Sequence, residues 1–103
     1  MLVLTVKFQS NLSYDEVMAV VQERISDFRA LSGLIQKYYG YEKSTGAYTG
    51  VYIWESAEAM RAYRESELAQ TIAAAYQAVE PPRIEIFNLI ETLRPIESAA
   101  TVS

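Results

Sequence analysis

Seven of the twelve aromatic residues of this chain fall within residues 33–63. The segment reads as a strand, a turn, a second strand that ends in Trp54, and the capped start of a helix. Tyrosine and tryptophan are typical of strands, where their rings pack on a half-buried pleated surface. A hairpin with this many rings needs an apolar covering. The rings therefore either form a core or line a flat hydrophobic pocket for a small molecule.

Residue periodicity extends the hairpin into a complete domain. Strands are predicted over residues 2–9, 34–43, 47–55 and 83–93. A capping box predicts the start of the first helix, because Ser13 is followed three residues later by Glu16. The apolar residues after it recur at helical spacing. They are Val17, Val21, Ile25, Phe28 and Leu31.

A second helical region follows the hairpin. Ser56 caps its start, a break is expected near Ser66, and Pro81-Pro82 ends it. Its later part carries a second apolar stripe of Leu68, Ile72, Ala75 and Val79. The order β-α-β-β-α-β predicts an α+β, ferredoxin-like fold, with a four-stranded antiparallel sheet and both helices on one face.

The length of 103 residues indicates one domain, which we place at residues 1–96. Pro95 ends the last strand, and residues 97–103 are expected to form a flexible C-terminal tail.

The predicted sheet is apolar on both faces. In the third strand Val51 and Ile53 take one face, while Tyr52 and Trp54 take the other. Because the helices cover only one face, the other would leave an apolar patch larger than monomers tolerate. We therefore expect a homodimer in which two sheets pack face to face.

Charge and composition exclude several function classes. The net charge is −4 and the nine basic residues are scattered, so a clustered cationic face for nucleic acid is not expected. No apolar run approaches the ~20 residues of a membrane span, and the cytoplasm is the expected location. The chain has no cysteine and no histidine, and its carboxylates show no metal-ligand spacing, so no metal site is predicted.

Several strings together resemble the dimeric α/β-barrel superfamily, and within it the YdhR-like monooxygenases, a group of small bacterial proteins. The resemblance extends over roughly residues 1–96. The matching strings are Gly33-Leu34, Lys37-Tyr38-Tyr39, Thr45-Gly46, Gly50-Val51-Tyr52-Ile53-Trp54-Glu55-Ser56, Ala59, Ala62-Tyr63, Ile86-Phe87-Asn88-Leu89 and Pro95.

The resemblance implies a dimer with a hydrophobic cavity in each subunit, between helices and sheet. The superfamily includes cofactor-independent monooxygenases of phenolic aromatics, haem-degrading enzymes and polyketide cyclases. By alignment with the haem-degrading branch, its tryptophan falls at Tyr63 and its iron-ligating histidine near Ala74, and the chain has no histidine to supply that ligand. The glycines at 33, 40, 46 and 50 form no nucleotide fingerprint. No cofactor is expected.

Six residues are candidates for binding a small apolar or aromatic ligand. They are Trp54, Tyr52, Tyr63, Tyr39, Phe8 and Asn88. Trp54 serves either as core or as a pocket wall whose indole N–H reaches a ligand. Asn88 interrupts an apolar run, so its amide is either satisfied by backbone or acts as a polar anchor in the pocket or at the dimer interface. No residue is assigned as catalytic.

Three functions remain open from the sequence. The first is a cofactor-independent monooxygenase of a small aromatic or polycyclic phenolic compound. The second is a protein that binds such a ligand without transforming it, and the third is a structural dimer whose cavity is incidental. The lack of histidine, cysteine and a clear carboxylate pair favours the last two over demanding acid–base catalysis.

Overall fold

A computed structural model describes residues 1–95 of the chain. The tail predicted for residues 97–103 lies outside the described residues. The elements are β1 (Leu2–Phe8), α1 (Tyr14–Arg29), β2 (Leu34–Glu42), β3 (Ala47–Trp54), α2 (Ala57–Arg64), α3 (Glu67–Gln70), α4 (Ile72–Ala75) and β4 (Arg83–Asn88). Among these helices, none has the length and apolar character that crossing a membrane requires.

The four strands form one antiparallel sheet in the order β2-β3-β1-β4. β1 lies between β3 and β4, so β2 and β4 are the two edge strands. This order and the βαββαβ succession confirm the predicted ferredoxin-like α+β fold.

The predicted helix starts are also confirmed. The Ser13 side chain accepts from the Glu16 backbone N–H, and the Glu16 carboxylate accepts from the Ser13 N–H, which completes the capping box. Ser56 accepts from the Ala59 N–H at the start of α2. Ser66 accepts from the Ala69 N–H, so the expected break marks the start of α3.

The second apolar stripe does not continue to Val79 as a helix. α4 ends at Ala75, and Gln77 adopts a left-handed backbone with φ 46°. The Val79 N–H then donates to the Gln9 carbonyl, and Ala78 forms an isolated β-bridge with Ser10. Pairing with the two residues that follow β1 therefore replaces the last helical turn predicted there.

β4 is shorter than the predicted strand over residues 83–93. It ends at Asn88, opposite Leu2, and one further bond joins the Leu89 N–H to the Met1 carbonyl. Since β1 supplies the partner groups and begins at Leu2, residues 90–95 have no β1 residue to pair with. Ile90 and Leu93 are 93% and 91% exposed.

The strand register assigns side chains to the two faces of the sheet. Residues directly opposite one another share a face. The face toward the helices carries Leu2, Leu4, Val6, Phe8, Leu34, Lys37, Tyr39, Tyr41, Tyr48, Gly50, Tyr52, Trp54, Ile84, Ile86 and Asn88. The open face carries Val3, Thr5, Lys7, Gln36, Tyr38, Thr49, Val51, Ile53, Arg83, Glu85 and Phe87.

The core lies between the helix side of the sheet and the apolar faces of α1 and α2. Leu4, Tyr52 and Trp54 contribute from the sheet, and Val17 and Phe28 contribute from α1. All five are at most 4% exposed. Burial of these large apolar side chains is the main source of the fold's stability.

Gly33 joins α1 to β2 at a crowded point. Its φ is +81°, and a Cβ built there would lie 2.4 Å from the Ala59 Cβ on α2. Its carbonyl accepts from the Glu55 N–H just after β3. The left-handed backbone and the close approach of α2 both require glycine at this position.

Candidate functional site

A cavity opens between the helix side of the sheet and helices α1 and α4. Its sheltered part has a volume of about 40 Å³, and the space widens to about 420 Å³ when the open mouth is counted. Val17 and Val21 of α1 and Ile72 of α4 contribute aliphatic walls. The functional groups in its lining are five aromatic rings and one amine, from Phe8, Tyr39, Tyr48, Tyr52, Tyr76 and Lys37.

A glycine leaves space at the centre of the sheet in this cavity. Gly50 lies on β3 between Val6 of β1 and Tyr39 of β2. A Cβ at this position would lie 3.0 Å from Tyr52 Cε1 and 3.4 Å from Lys37 Cε. A side chain here would therefore press on the Tyr52 ring and come into contact with the Lys37 side chain.

Lys37 places its ammonium group among aromatic rings. Its Nζ lies 3.3 Å from the centroid of the Phe28 ring, and 4.4 Å from those of both Tyr39 and Tyr52. Ring faces carry partial negative charge and attract a cation at these distances. The rings belong to α1, β2 and β3, so three elements of the fold hold the amine in place.

The Lys37 amine is easier to deprotonate than an ordinary lysine. Burial, together with a smaller repulsion from the Arg24 guanidinium, lowers the pKa of Lys37 from 10.5 to about 7. The two ion pairs found within residues 1–95 join Lys7 to Glu42 and Arg83 to Glu85, so neither gives Lys37 a carboxylate partner. An amine with a pKa near neutrality can both accept and donate a proton at physiological pH.

Arg24 adds a second cation behind the cavity. One of its terminal nitrogens donates to the Leu68 carbonyl at 2.6 Å and lies 3.3 Å from the Thr71 hydroxyl. Its Nε is buried and has no hydrogen-bond partner among the described residues. These bonds tie the guanidinium to α3 and the residue after it, and its charge is permanent.

The tyrosines of the site remain protonated at neutral pH. Burial raises the pKa of Tyr76 to about 12 and raises the pKa of Tyr39. The Tyr52 and Tyr63 hydroxyls lie 3.1 Å apart in the core, where burial raises both pKa values, that of Tyr63 to about 12. These phenols can donate or share hydrogen bonds, but they do not act as bases near pH 7.

The structure brings three of the six predicted site residues together. Phe8, Tyr39 and Tyr52 line the cavity. The Phe8 ring packs against Tyr76, with centroids 5.1 Å apart. Tyr39 is 40% exposed, so it stands toward the mouth, whereas Tyr52 is buried at the floor.

The other three predicted residues lie outside this lining. Trp54 has no exposed surface, and its ring stacks on Tyr63 with centroids 5.3 Å apart. The Tyr63 ring packs against both Trp54 and Tyr52, and it borders a separate cleft between β4 and α3. Asn88 is exposed at the end of β4, outside the cavity, and its role as a polar anchor at a dimer interface stays a prediction.

Lys37 and Arg24 are the residues of this site that the sequence reasoning missed. A signal for Lys37 was present, because it lies two residues before Tyr39 in the same strand and therefore shares its face. Arg24 follows Val17 and Val21 at helical spacing, which puts it on the inner side of α1.

Acidic and other metal-ligating side chains do not gather at this site. Within residues 1–95, no three or more histidine, cysteine, aspartate or glutamate residues are placed to hold a metal ion.

Solved structures of other proteins share this fold. Rv0793 from Mycobacterium tuberculosis superposes with a TM-score of 0.71 at 14% identity, covering 90% of this chain and 98% of its own. The cofactor-independent oxygenase SnoaB from Streptomyces nogalater gives 0.73 at 15% identity, with 91% and 97% covered. A protein from Deinococcus radiodurans that is described as a putative antibiotic biosynthesis monooxygenase gives a TM-score of 0.72 at 11% identity, with 92% of this chain and 98% of its own covered.

The sequence comparisons give the family. No curated protein matches the chain in sequence. The family model described as "Putative mono-oxygenase ydhR" matches residues 3–100, nearly the whole chain, and the chain therefore belongs to the ydhR mono-oxygenase family.

Proposed function

We propose that this protein is a cofactor-independent monooxygenase that acts on a small aromatic phenol in the cavity beneath α1 and α4. One observation carries the proposal. A cavity on the helix side of the sheet combines five aromatic rings with a single amine, Lys37, whose pKa lies near 7. Flat apolar walls suit an aromatic ring, and a lone ionisable group suits a ligand with one acidic hydroxyl.

The proposed chemistry uses the reactivity of the substrate itself. A deprotonated phenol is electron-rich and can pass an electron to O2. Oxidation to a quinone consumes one O2, places one oxygen atom in the product and releases the other as water. The protein's part is to exclude water, orient the ring and stabilise the anion. Membership of the ydhR family and the fold shared with SnoaB support this reaction class.

The proposal includes a homodimer. On the open face, Phe87 of β4 and Tyr38 of β2 are exposed, next to the apolar Val3 and Val51. Beyond β4, Ile90 and Leu93 are almost fully exposed. Exposed apolar surface of this extent is typical of an interaction face, and a second copy packing on the open face would cover it.

Oxygen uptake with a matched pair of variants tests the proposal. The protein is incubated in air with a panel of one- to three-ring phenols, while quinone absorbance and O2 concentration are followed. Tyr39→Leu removes a ring from the cavity, whereas Tyr41→Leu removes an exposed ring of the same strand that does not line the cavity. We expect turnover in wild type and Tyr41→Leu, and at least a tenfold loss in Tyr39→Leu. Light scattering checks that all three have the same mass.

Two other results would redirect the proposal. Binding of the phenols without O2 uptake would favour a protein that binds an aromatic ligand and does not transform it. That alternative agrees with the raised pKa values of the cavity tyrosines, which leave Lys37 as the one group of the described lining that titrates near neutrality. If no phenol binds, the remaining alternative is a structural dimer with an incidental cavity.

A further inference from the structure

Lys37 and Arg24 place positive charge at the cavity, the charge of Arg29 also acts on Tyr39, and none of the three belongs to an ion pair within residues 1–95. Lys37 lies in the lining, and Arg24 is close enough for its charge to act on Lys37, Tyr39 and Tyr76. The chain as a whole is acidic, with a net charge of −4, so a local excess of positive charge is not a general feature of its surface.

Uncompensated charge at a partly desolvated position destabilises a fold. Lys37 is held there by three rings from three elements, and Arg24 by hydrogen bonds to the Leu68 carbonyl and the Thr71 hydroxyl. The buried Nε of Arg24 still lacks a partner among the described residues. A fixed, costly arrangement of this kind suits a ligand that supplies the missing negative charge.

We propose that Lys37 and Arg24 form an anion site in this cavity, and that Lys37 takes the proton from the hydroxyl group of an acidic aromatic ligand that binds there as its phenolate. This inference rests on the proposed function, because it names the base and the ligand class of the same cavity. Lys37 is a catalytic residue in this assignment, and Arg24 is a positioning residue that acts through it.

The proton step is balanced. The neutral amine of Lys37 accepts the proton of the ligand's O–H group, which leaves a phenolate beside an ammonium group. No proton is exchanged with water, and no further reactant is needed. The new ammonium group then faces one anion and three ring faces, and all four attract it.

The other groups around Lys37 do not compete for this proton. The titratable and charged groups packed near it are Arg24 from α1, Tyr39 from β2, Tyr52 from β3 and Tyr76 after α4. Arg24 is permanently protonated. Burial raises the pKa values of the three tyrosines, so they keep their own protons. Among the described groups at the cavity, the Lys37 amine is therefore the one acceptor near neutral pH.

A coloured phenol tests the assignment directly. 4-Nitrophenol changes its absorption when it loses its proton, and 4-nitroanisole has the same ring with a methyl group in place of that proton. At a pH where free 4-nitrophenol is mainly neutral, we expect the bound probe to show the phenolate spectrum. We also expect wild type to bind it about tenfold more tightly than 4-nitroanisole, a difference typical of one charge-assisted contact.

Two lysine variants serve as the matched pair. Lys37→Met keeps the length of the side chain and removes the amine, so it should abolish both the phenolate spectrum and the preference for 4-nitrophenol. Lys43→Met changes an exposed lysine in the turn after β2 and should behave as wild type. Equal binding of both probes by wild type would overturn the anion site and leave an apolar pocket in place. Binding of neither probe would overturn the proposed function as well.

An NMR titration of the lysine side chains gives a reading that depends on no variant. Because binding and proton affinity are linked, a phenolate bound beside Lys37 must raise the pKa of that amine. We expect the Lys37 titration to move upward by at least one pH unit when 4-nitrophenol is added, and to stay unchanged with 4-nitroanisole. The same midpoint with and without 4-nitrophenol would refute the assignment.

Discussion

The centre of the sheet and its β4 edge differ in how much of their apolar surface one protomer covers. On β1 and β3, Leu4, Tyr52 and Trp54 are completely or almost completely buried by α1 and α2. On β4 every residue is exposed, including Ile84 and Ile86 on the helix side of the sheet. Both regions belong to the same hydrogen-bonded sheet, so the difference comes from the covering layer.

One chain alone buries the apolar side chains at the centre of the sheet, whereas a second copy would be needed to cover those at the β4 edge. The centre contains the stacked rings of Trp54, Tyr52 and Tyr63, and its burial is finished within one chain. At the β4 edge, Phe87 on the open face is 49% exposed, and Ile90 beyond the strand is 93% exposed. Changes at the centre should therefore act on folding, whereas changes at the edge should act on association.

The largest effect is expected at Trp54. Trp54→Ala removes a fully buried ring and leaves a cavity, which should lower the free energy of unfolding by about 3–5 kcal/mol. Urea unfolding followed by circular dichroism measures it. Trp54→Phe, which keeps a ring against Tyr63, should lose less than half as much. A loss below about 1 kcal/mol in Trp54→Ala would show that the sheet centre is not the stabilising region.

The next effect concerns association through the β4 edge. Phe87→Asp places a charge on the exposed apolar part of the open face and should weaken the proposed dimer by about 2–4 kcal/mol, the range of a strongly contributing interface residue. Light scattering should then give the mass of one chain, with an unchanged circular dichroism spectrum. Glu85→Gln, on the same strand and face, is the control and should remain dimeric. A Phe87→Asp dimer as tight as wild type would remove this face from the interface.

Lys37→Met should stabilise the protomer, in contrast to the two preceding changes. Replacing a desolvated charge by an apolar side chain of similar length should add about 1–3 kcal/mol at about pH 6. Burial lowers the pKa of Lys37 to about 7 in the folded chain, against 10.5 as the ordinary value. Between these values the unfolded chain binds more protons, so wild-type stability rises with pH and the advantage of methionine shrinks.

Thermal unfolding of wild type and Lys37→Met across that pH range measures the difference, with Lys43→Met as the exposed control. If Lys37→Met is less stable than wild type at every pH, the attraction of Phe28, Tyr39 and Tyr52 for the cation exceeds its desolvation cost. Lys37 would then be a structural cation that the fold retains for its own stability.

The smallest effect is expected at Ser56, the N-cap of α2, the helix that covers the centre of the sheet. Ser56→Ala removes the side-chain oxygen that accepts from the Ala59 N–H at the start of α2, and it should cost about 1 kcal/mol. Ser44→Ala, in the turn between β2 and β3, should cost less than half of that. The urea midpoints of the two variants measure the difference. Equal midpoints would show that the Ser56 cap makes no measurable contribution to the free energy of unfolding.

Local signals in the sequence predicted most of the fold. Ser13 with Glu16, and Ser56 and Ser66, start helices where expected, because caps depend on residues within one turn. The predicted ends that depend on distant partners were wrong. β4 stops at Asn88 because β1 begins at Leu2, and the helical pattern up to Val79 yields to a bond with Gln9.

Part of the candidate site was also predictable from local sequence signals. Strand alternation put Phe8, Tyr39 and Tyr52 on one face, and the structure brings them into one cavity. Lys37 shares that face, but lysine usually keeps its amine in water, so its burial could not be read from the strand. That burial depends on Phe28, which α1 carries across β2.

The close approach of Gly33 and Ala59 makes two distant positions of the sequence interdependent. A methyl group at residue 33 has room only if residue 59 loses its own, so Ala59→Gly should rescue part of the damage done by Gly33→Ala. The left-handed backbone at residue 33 would still be strained with any side chain other than that of glycine. Family members that replace one of these residues should therefore have changed the other, and a shift of α2 at this contact would reach the cavity floor through Tyr63 and its hydroxyl partner Tyr52.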